Sequence, residues 1–322
     1  MPSLLDLPLE LRELIIELVL KDQRIPPAAP SQSNRGSFRD MGYRAWRQII
    51  YYERRQSHCP YNASGLIRTN HQLSEETLAT LDRISSSPYV LDVSVLNDVG
   101  LYPTWLSVPR LTHRVSTLHV NVRLFGHILS RDSARSQVGD GGHLGFQWSF
   151  YALLERFIRY GPVDGKTSRE EDPMYIHRDM TVKTLVLDFQ SAESGLFFPP
   201  DEVDYRWWWR RIIGWILFLE PRLESLLSCL IIDPTRMVRK IPVRILYERI
   251  GTIKVLVNGE PNAEIDLAGP LARLHFTDTR DVLGYAYTES ELAAYREWKK
   301  ETLARREQLG FRVVWLHDPE FA

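Results

Sequence analysis

Val182-Lys183-Thr184-Leu185-Val186-Leu187-Asp188-Phe189 is a short β-rich run, and the segments around it decide the fold. Similar runs occupy Tyr89 to Leu96 (YVLDVSVL) and Val115 to Val122 (VSTLHVNV) before it, and Thr252 to Val257 (TIKVLV) and Leu271 to Phe276 (LARLHF) after it. Between the second and third runs, FQWSFYALLERFIRY predicts a helix over Phe146 to Tyr160. Between the third and fourth, residues 205–232 (YRWWWRRIIGWILFLEPRLESLLSCLII) predict one or two helices broken near Pro221. Strand, helix, strand, helix implies crossover connections and an α/β fold with a mainly parallel sheet, with α+β as the alternative. The irregular repeat length excludes a regular solenoid. The chain ends in a charged helix, Glu289 to Leu309, and in Phe311 to Leu316 as a last strand or a docking tail. Polar inserts at Arg131 to Gly142 and Val163 to Pro173 read as disordered.

With 44% apolar and 25% charged residues in 322, most of the chain has the composition of a globular protein rather than a disordered one. Forty basic residues against forty-one acidic leave no global attraction to nucleic acid or to an anionic membrane, so neither is an expected partner. Cys59 and Cys229 are too few for a disulfide framework and too widely spaced for a metal knuckle. The apolar start carries Asp6, Glu10, Arg12, Glu13 and Glu17, which a signal-peptide core or spanning helix would exclude. The expectation is an intracellular protein, cytoplasmic, nuclear or both. Without a secretory route the Asn62-Ala63-Ser64 sequon has no use.

Catalytic patterns do not emerge. Gly161 to Thr167 has three residues between its glycines where a phosphate-binding loop needs four, and it follows a helix rather than a strand. Gly139 to Gly145 has the wrong glycine spacing for a dinucleotide fold. No pair of histidines stands at i, i+4, and His113 and His119 read as packing or surface residues. His58 beside Cys59 defines no nucleophilic pair without an orienting third group. No cofactor, metal or catalytic residue is therefore assigned, and a non-catalytic role is expected. The conspicuous cluster is Arg206 to Arg211 with Trp215. On a helix Trp208, Ile212 and Trp215 share a core-facing side, leaving Trp207, Trp209 and Arg210 as a candidate recognition surface. The basic residues of Val238 to Arg249 read as a solvated face.

The first 87 residues differ in texture from the rest and read as a helical module, with residues 88–322 as the α/β domain. Residues 4–20 predict a helix with Asp6 as cap and Pro8 in the first turn. Leu11, Leu14, Ile15, Leu18 and Val19 follow at helical spacing and read as one buried face, while Leu9, Ile16 and Leu20 form a second, offset row. Such a helix needs two partners: its own chain and a second protein, or two faces of its own domain. Residues 22–63 begin IPPAAPSQSNRGS from Ile25 and read as a disordered insertion, with a helix of about three turns expected in YRAWRQIIYYERR, Trp46, Ile49 and Ile50 on one side. Ser64 to Leu81 predicts one amphipathic helix.

Leu4-Leu5-Asp6-Leu7-Pro8-Leu9-Glu10-Leu11-Arg12-Glu13-Leu14-Ile15 resembles the opening of the F-box, with its Leu-Pro pair, an acidic residue two positions later and apolar residues at helical spacing. It is most similar to the F-box-like proteins of filamentous fungi. In these a second segment has the form Leu-Leu/Ile-Arg-x-x-Arg-Gln-x-x-x-Glu, and Leu66 to Glu76 is similar, with His71 where a basic residue is usual. The resemblance implies docking to the Skp-family adaptor of a cullin-RING ubiquitin ligase through Leu5, Leu7, Pro8, Leu11, Ile15 and Leu18, while the α/β domain presents a protein substrate for ubiquitination. The alternative is a free-standing interaction module with an F-box-like start and no ligase role. An ordinary F-box is compact, whereas here Asp22 to Ala63 intervenes, so docking requires the two segments to meet in space.

Overall fold

The computed structural model describes residues 4–28, 30, 35–38, 49–53, 61–84, 86–96, 100–125, 145–162, 178–190, 244–273 and 288–315. The fold is α/β. Eight strands form one sheet: β1 (Arg35–Phe38), β2 (Ile49–Glu53), β3 (Tyr89–Leu96), β4 (Gly100–Ser107), β5 (Arg114–Phe125), β6 (Thr181–Gln190), β7 (Ile250–Val257) and β8 (Glu260–Asp266). Their order is β1-β2-β4-β3-β5-β6-β7-β8, and four of the seven pairings are parallel: β2/β4, β3/β5, β5/β6 and β6/β7. The helices are α1 (Leu9–Lys21), α2 (Ser64–Ile67), α3 (His71–Arg83), α4 (Gly145–Tyr160), α5 (Arg244–Arg249), α6 (Ala268–Arg273) and α7 (Glu289–Gln308).

Alternation from Leu118 to Arg123 of β5 makes the sheet two-sided. Leu118, Val120 and Val122 are buried in one core with Leu153 and Phe157 of α4, Tyr247 of α5 and Trp298 of α7. The other face is polar: Asp92, Asn121 and Asp188 stand in register across β3, β5 and β6, and Ser94, Arg123 and Gln190 form the next row. Asp92 is fully buried there and accepts from Arg123 Nε at 2.6 Å and Nη2 at 2.7 Å. Asp188 Oδ1 accepts from the Gly259 N–H at 2.9 Å, and its Oδ2 from Gln190 at 3.0 Å. A buried carboxylate persists where charge and hydrogen bonds compensate it, and both do.

The four central β-runs form strands, and the helix expected over Phe146 to Tyr160 forms as α4. Several other expectations are corrected. Residues 22–63 are not disordered throughout: they supply β1 and β2, and the Arg24 N–H donates to Leu106 O. The helix expected around Trp46 to Arg55 is instead strand at Ile49–Glu53, because Ile-Ile-Tyr-Tyr suits a pleated surface and Ile49 and Ile50 pair with Gly100 and Leu101. The single helix expected over Ser64 to Leu81 breaks at Arg68 to Asn70, where Asn70 adopts extended backbone and caps α3 by accepting from Leu73 N–H. Residues 268–273 are helical, overturning the first half of the strand expected at Leu271 to Phe276. Asp266 Oδ1 captures the Ala268 N–H and begins a turn that Leu271 closes onto Leu267 O. Phe311 to Trp315 belongs to no sheet, so it is a tail, with Val313 packed on the core.

Besides β1 and β2, two further strands went unpredicted. β4 contains Pro103, admissible because the ladder with β2 stops at Leu101. β8 follows Asn258 and Gly259, whose φ of 52° and 80° make the two-residue hairpin turn that Asn-Gly favours. That dipeptide was the available signal. The end helix also proved less solvated than its charge suggests. On α7, Trp298, Lys299, Thr302 and Arg306 are buried, and Arg306 Nη1 donates to Tyr247 O and Ile250 O. The segments at 131–142 and 163–173, the helices expected over 205–232, Cys59 and Cys229 lie outside the described residues.

A Cβ at Gly251 would stand 2.6 Å from Lys183 O on the neighbouring strand, whereas one at Gly65 in α2 meets nothing within 4 Å. Gly251→Ala is therefore expected to lower stability by about 1–3 kcal/mol through overpacking. Gly65→Ala should be neutral or stabilising by up to about 1 kcal/mol. Urea unfolding midpoints of the two variants check this pair.

Candidate docking surface

Pro8 occupies the N-cap of α1 with no side-chain cap, so Asp6 does not take the capping role expected of it. The Pro8 carbonyl accepts from the Leu11 and Arg12 N–H groups, and Arg12 Nη1 reaches back to Leu7 O. The helix then runs to Lys21 with one face turned inward. Ile16 and Leu20 are fully buried in a small core of their own with Ala63, Leu73 and Leu81, and Leu4, Leu66 and Ile67 pack around it. Tyr61 touches both this core and that of the sheet.

Ion pairs clamp the same inward side. Arg12 meets Glu76 of α3, Nη2 to Oε1 at 2.6 Å and Nε to Oε2 at 3.0 Å, with both side chains largely covered. Arg83 at the end of α3 reaches Glu13 at 2.6 Å and Glu17 at 3.3 Å. The hydrogen bond from Arg12 is the main cause that holds the Glu76 carboxyl below the usual glutamate range. The bond to Glu13 likewise raises the Arg83 pKa. Glu76 is the closing glutamate of the second F-box-like segment, so that pattern meets the first one through this pair. The intervening residues do not separate α1 from α3.

With Ile16, Leu20, Arg12, Glu13 and Glu17 facing α3, the opposite face of α1 is left uncovered among the described residues. Leu11 is 48%, Leu14 55% and Leu18 64% exposed, and Val19 is exposed beside them. The row read from sequence as buried is the open one, and Ile16 and Leu20 of the offset row form the core. Helical spacing reveals two apolar rows but not which meets the chain's own core; the long-range ion pairs settle it. Of the other candidate adaptor-binding residues, Leu5 and Pro8 are exposed and Leu7 and Ile15 half-buried. Leu9, read with the offset row, is exposed as well, and Ile25 and Leu78 add to the exposed apolar surface. A surface helix normally turns its charges out and its leucines in; a stripe of this kind on a folded module marks an interaction site. His71 is exposed and lies 3.4 Å from Glu75.

Trp207, Trp209 and Arg210 lie outside the described residues. On the sheet, His119 Nε2 lies 4.0 Å from Asp188 Oδ2, beyond hydrogen-bond distance, and the His113 ring contacts Arg178 O. Gly161, with φ of 81°, closes α4 by donating to Phe157 O, which is a helix-ending role. Among the described residues no group of three or more His, Cys, Asp and Glu side chains is placed to hold a metal ion. No described helix is long and apolar enough to cross a membrane.

Because Glu76 has a lowered pKa in the folded chain, its contribution to the α1–α3 clamp is present above the unfolded value of about 4.3. That contribution is lost as pH falls through the lower folded value. The melting temperature of the native chain should exceed that of Glu76→Gln at pH 7, with the gap closing as pH drops below about 4. Thermal denaturation followed by circular dichroism over this range measures the gap. No family model matches the chain, and no curated protein or solved structure gives a significant match.

Proposed function

We propose that this protein is an F-box-type substrate receptor. Its α1 docks the Skp-family adaptor of a cullin-RING ubiquitin ligase through Leu11, Leu14, Ile15, Leu18 and the preceding Leu5, Leu7 and Pro8, and its α/β domain presents a protein substrate. The observation that carries the reading is the outward apolar face of α1, left open while Ile16 and Leu20 complete the module's own core. The ordered meeting of the two F-box-like segments through Arg12 and Glu76 supports it. Burial of such a stripe in a partner's groove drives association at about 25 cal/mol per Å² of apolar surface, against the cost of ordering. Catalysis in this scheme belongs to other subunits, and the chain contributes geometry. The substrate-contacting residues would include Trp207, Trp209 and Arg210.

The test is a pull-down and titration with purified Skp-family adaptor, comparing the intact chain with a Leu11→Asp, Leu18→Asp double variant. Both side chains are exposed, so the variant should keep the native circular dichroism spectrum. Adaptor binding by the intact chain, weakened at least about ten-fold in the folded variant, is the expected result; a loss of about 1.4 kcal/mol suffices for that. A folded intact chain that ignores the adaptor refutes the ligase role and makes the stripe the surface of a free-standing interaction module.

A further inference from the structure

Asn62 stands at the end of the long insertion, yet its carboxamide reaches back to the first helix. Nδ2 donates to Leu20 O at 2.9 Å, to Asp22 O at 2.8 Å and to Ser107 Oγ at 3.3 Å. Leu20 O belongs to the last turn of α1, where helix carbonyls have no partner within the helix. Ser107 ends β4. One side chain thus caps the helix that bears the exposed stripe and touches the sheet at the same time. Its backbone is held as well, because Asn62 N–H donates to Val108 O at 2.8 Å and Ala63 N–H to Pro109 O at 3.3 Å. The strand of chain leaving α1 runs along the same edge. Arg24 N–H donates to Leu106 O at 2.9 Å, and Arg123 Nη2, while bound to Asp92, donates to Pro27 O at 2.9 Å.

Two chain segments, one leaving α1 and one entering α2, are therefore stitched to the stretch from Leu106 to Pro109, and Asn62 crosses between them. We infer that Asn62 is a positioning residue: it latches the helical module to the sheet so that the exposed stripe of α1 and the sheet domain move as one rigid body. The module has a separate core, bridged to that of the sheet by Tyr61, and the Asn62 amide is a side-chain tie between the end of α1 and β4 that works beside the backbone bonds of Arg24, Asn62 and Ala63. An amide supplies the donor that faces these three oxygens. The inference holds whichever protein occupies the stripe.

Pulsed electron spin resonance on the full chain tests it, with labels at Glu10→Cys on α1 and Asn262→Cys on β8, both exposed, and with Cys59 and Cys229 replaced by Ser. The background with Asn62 intact should give one narrow distance distribution. Asn62→Asp keeps the shape of the side chain but replaces the donor with an acceptor facing carbonyl oxygens, and Asn62→Ala removes it; both should lose the single narrow peak. Hydrogen exchange at β5 and β6 should stay unchanged in both, which a general loss of fold would not allow. A broad distribution with Asn62 intact, or an equally narrow one in folded variants, overturns the inference. If neither variant folds, hydrogen exchange on the native chain decides: α1 and β4 amides opening together support the latch, and α1 amides exchanging well ahead of β4 refute it. None of these readouts involves the adaptor, so they stand or fall apart from the ligase reading.

Discussion

Parallel strands cannot be joined by a tight turn, and that constraint organises this fold. β3, β5, β6 and β7 lie side by side in one direction; the chain returns from β3 to β5 through antiparallel β4 within the sheet, and α4 is the described helix between β5 and β6. The helices gather on the apolar side, where Leu118, Val120 and Val122 meet Phe157, Tyr247 and Trp298. The opposite side is freed from apolar demand. It holds a registered polar row, with Asp92 neutralised by Arg123 and Asp188 held by the Gly259 N–H and Gln190. Buried charge of this kind specifies register: slipping one strand by one residue would turn Asp92 into the apolar core and strand its carboxylate there.

The central strands and α4 were legible because their side chains carry the period of their structure, two for Leu118, Val120 and Val122 and near four for Phe150, Leu153, Leu154 and Phe157. β4 was not, since Gly100, Pro103 and Trp105 read locally as a loop and become a strand only by pairing with β3. Residues 268–273 failed for the opposite reason: a side chain outside the window, Asp266, decided their conformation. In the helical module, two apolar rows were visible on α1 but their roles were reversed. The information that orients them lies in Glu76 and Arg83, more than sixty positions away. Local patterns identified the elements; contacts distant in sequence chose their faces.

The module shows how an insertion is accommodated without disturbing a small core. Loop closure grows costlier only slowly with length, so forty residues between α1 and α2 are tolerable provided that their ends return to the same place. Asn62 and Arg24 fasten those ends to one stretch of the sheet, and part of the intervening chain becomes β1 and β2. The insertion thereby extends the sheet instead of spoiling the helix pair.

β8 ends the strand order on the side away from that insertion. Its backbone edge carries Pro261, which has no N–H to offer, and its exposed side chains include Glu260 and Glu264. A strand from another molecule arriving there would find a missing donor and fixed negative charge. Open sheets commonly polymerise through such rims, and this rim is guarded. Among the described residues the exposed leucines of α1, rather than the edge of β8, are the apolar surface that a second copy could bury.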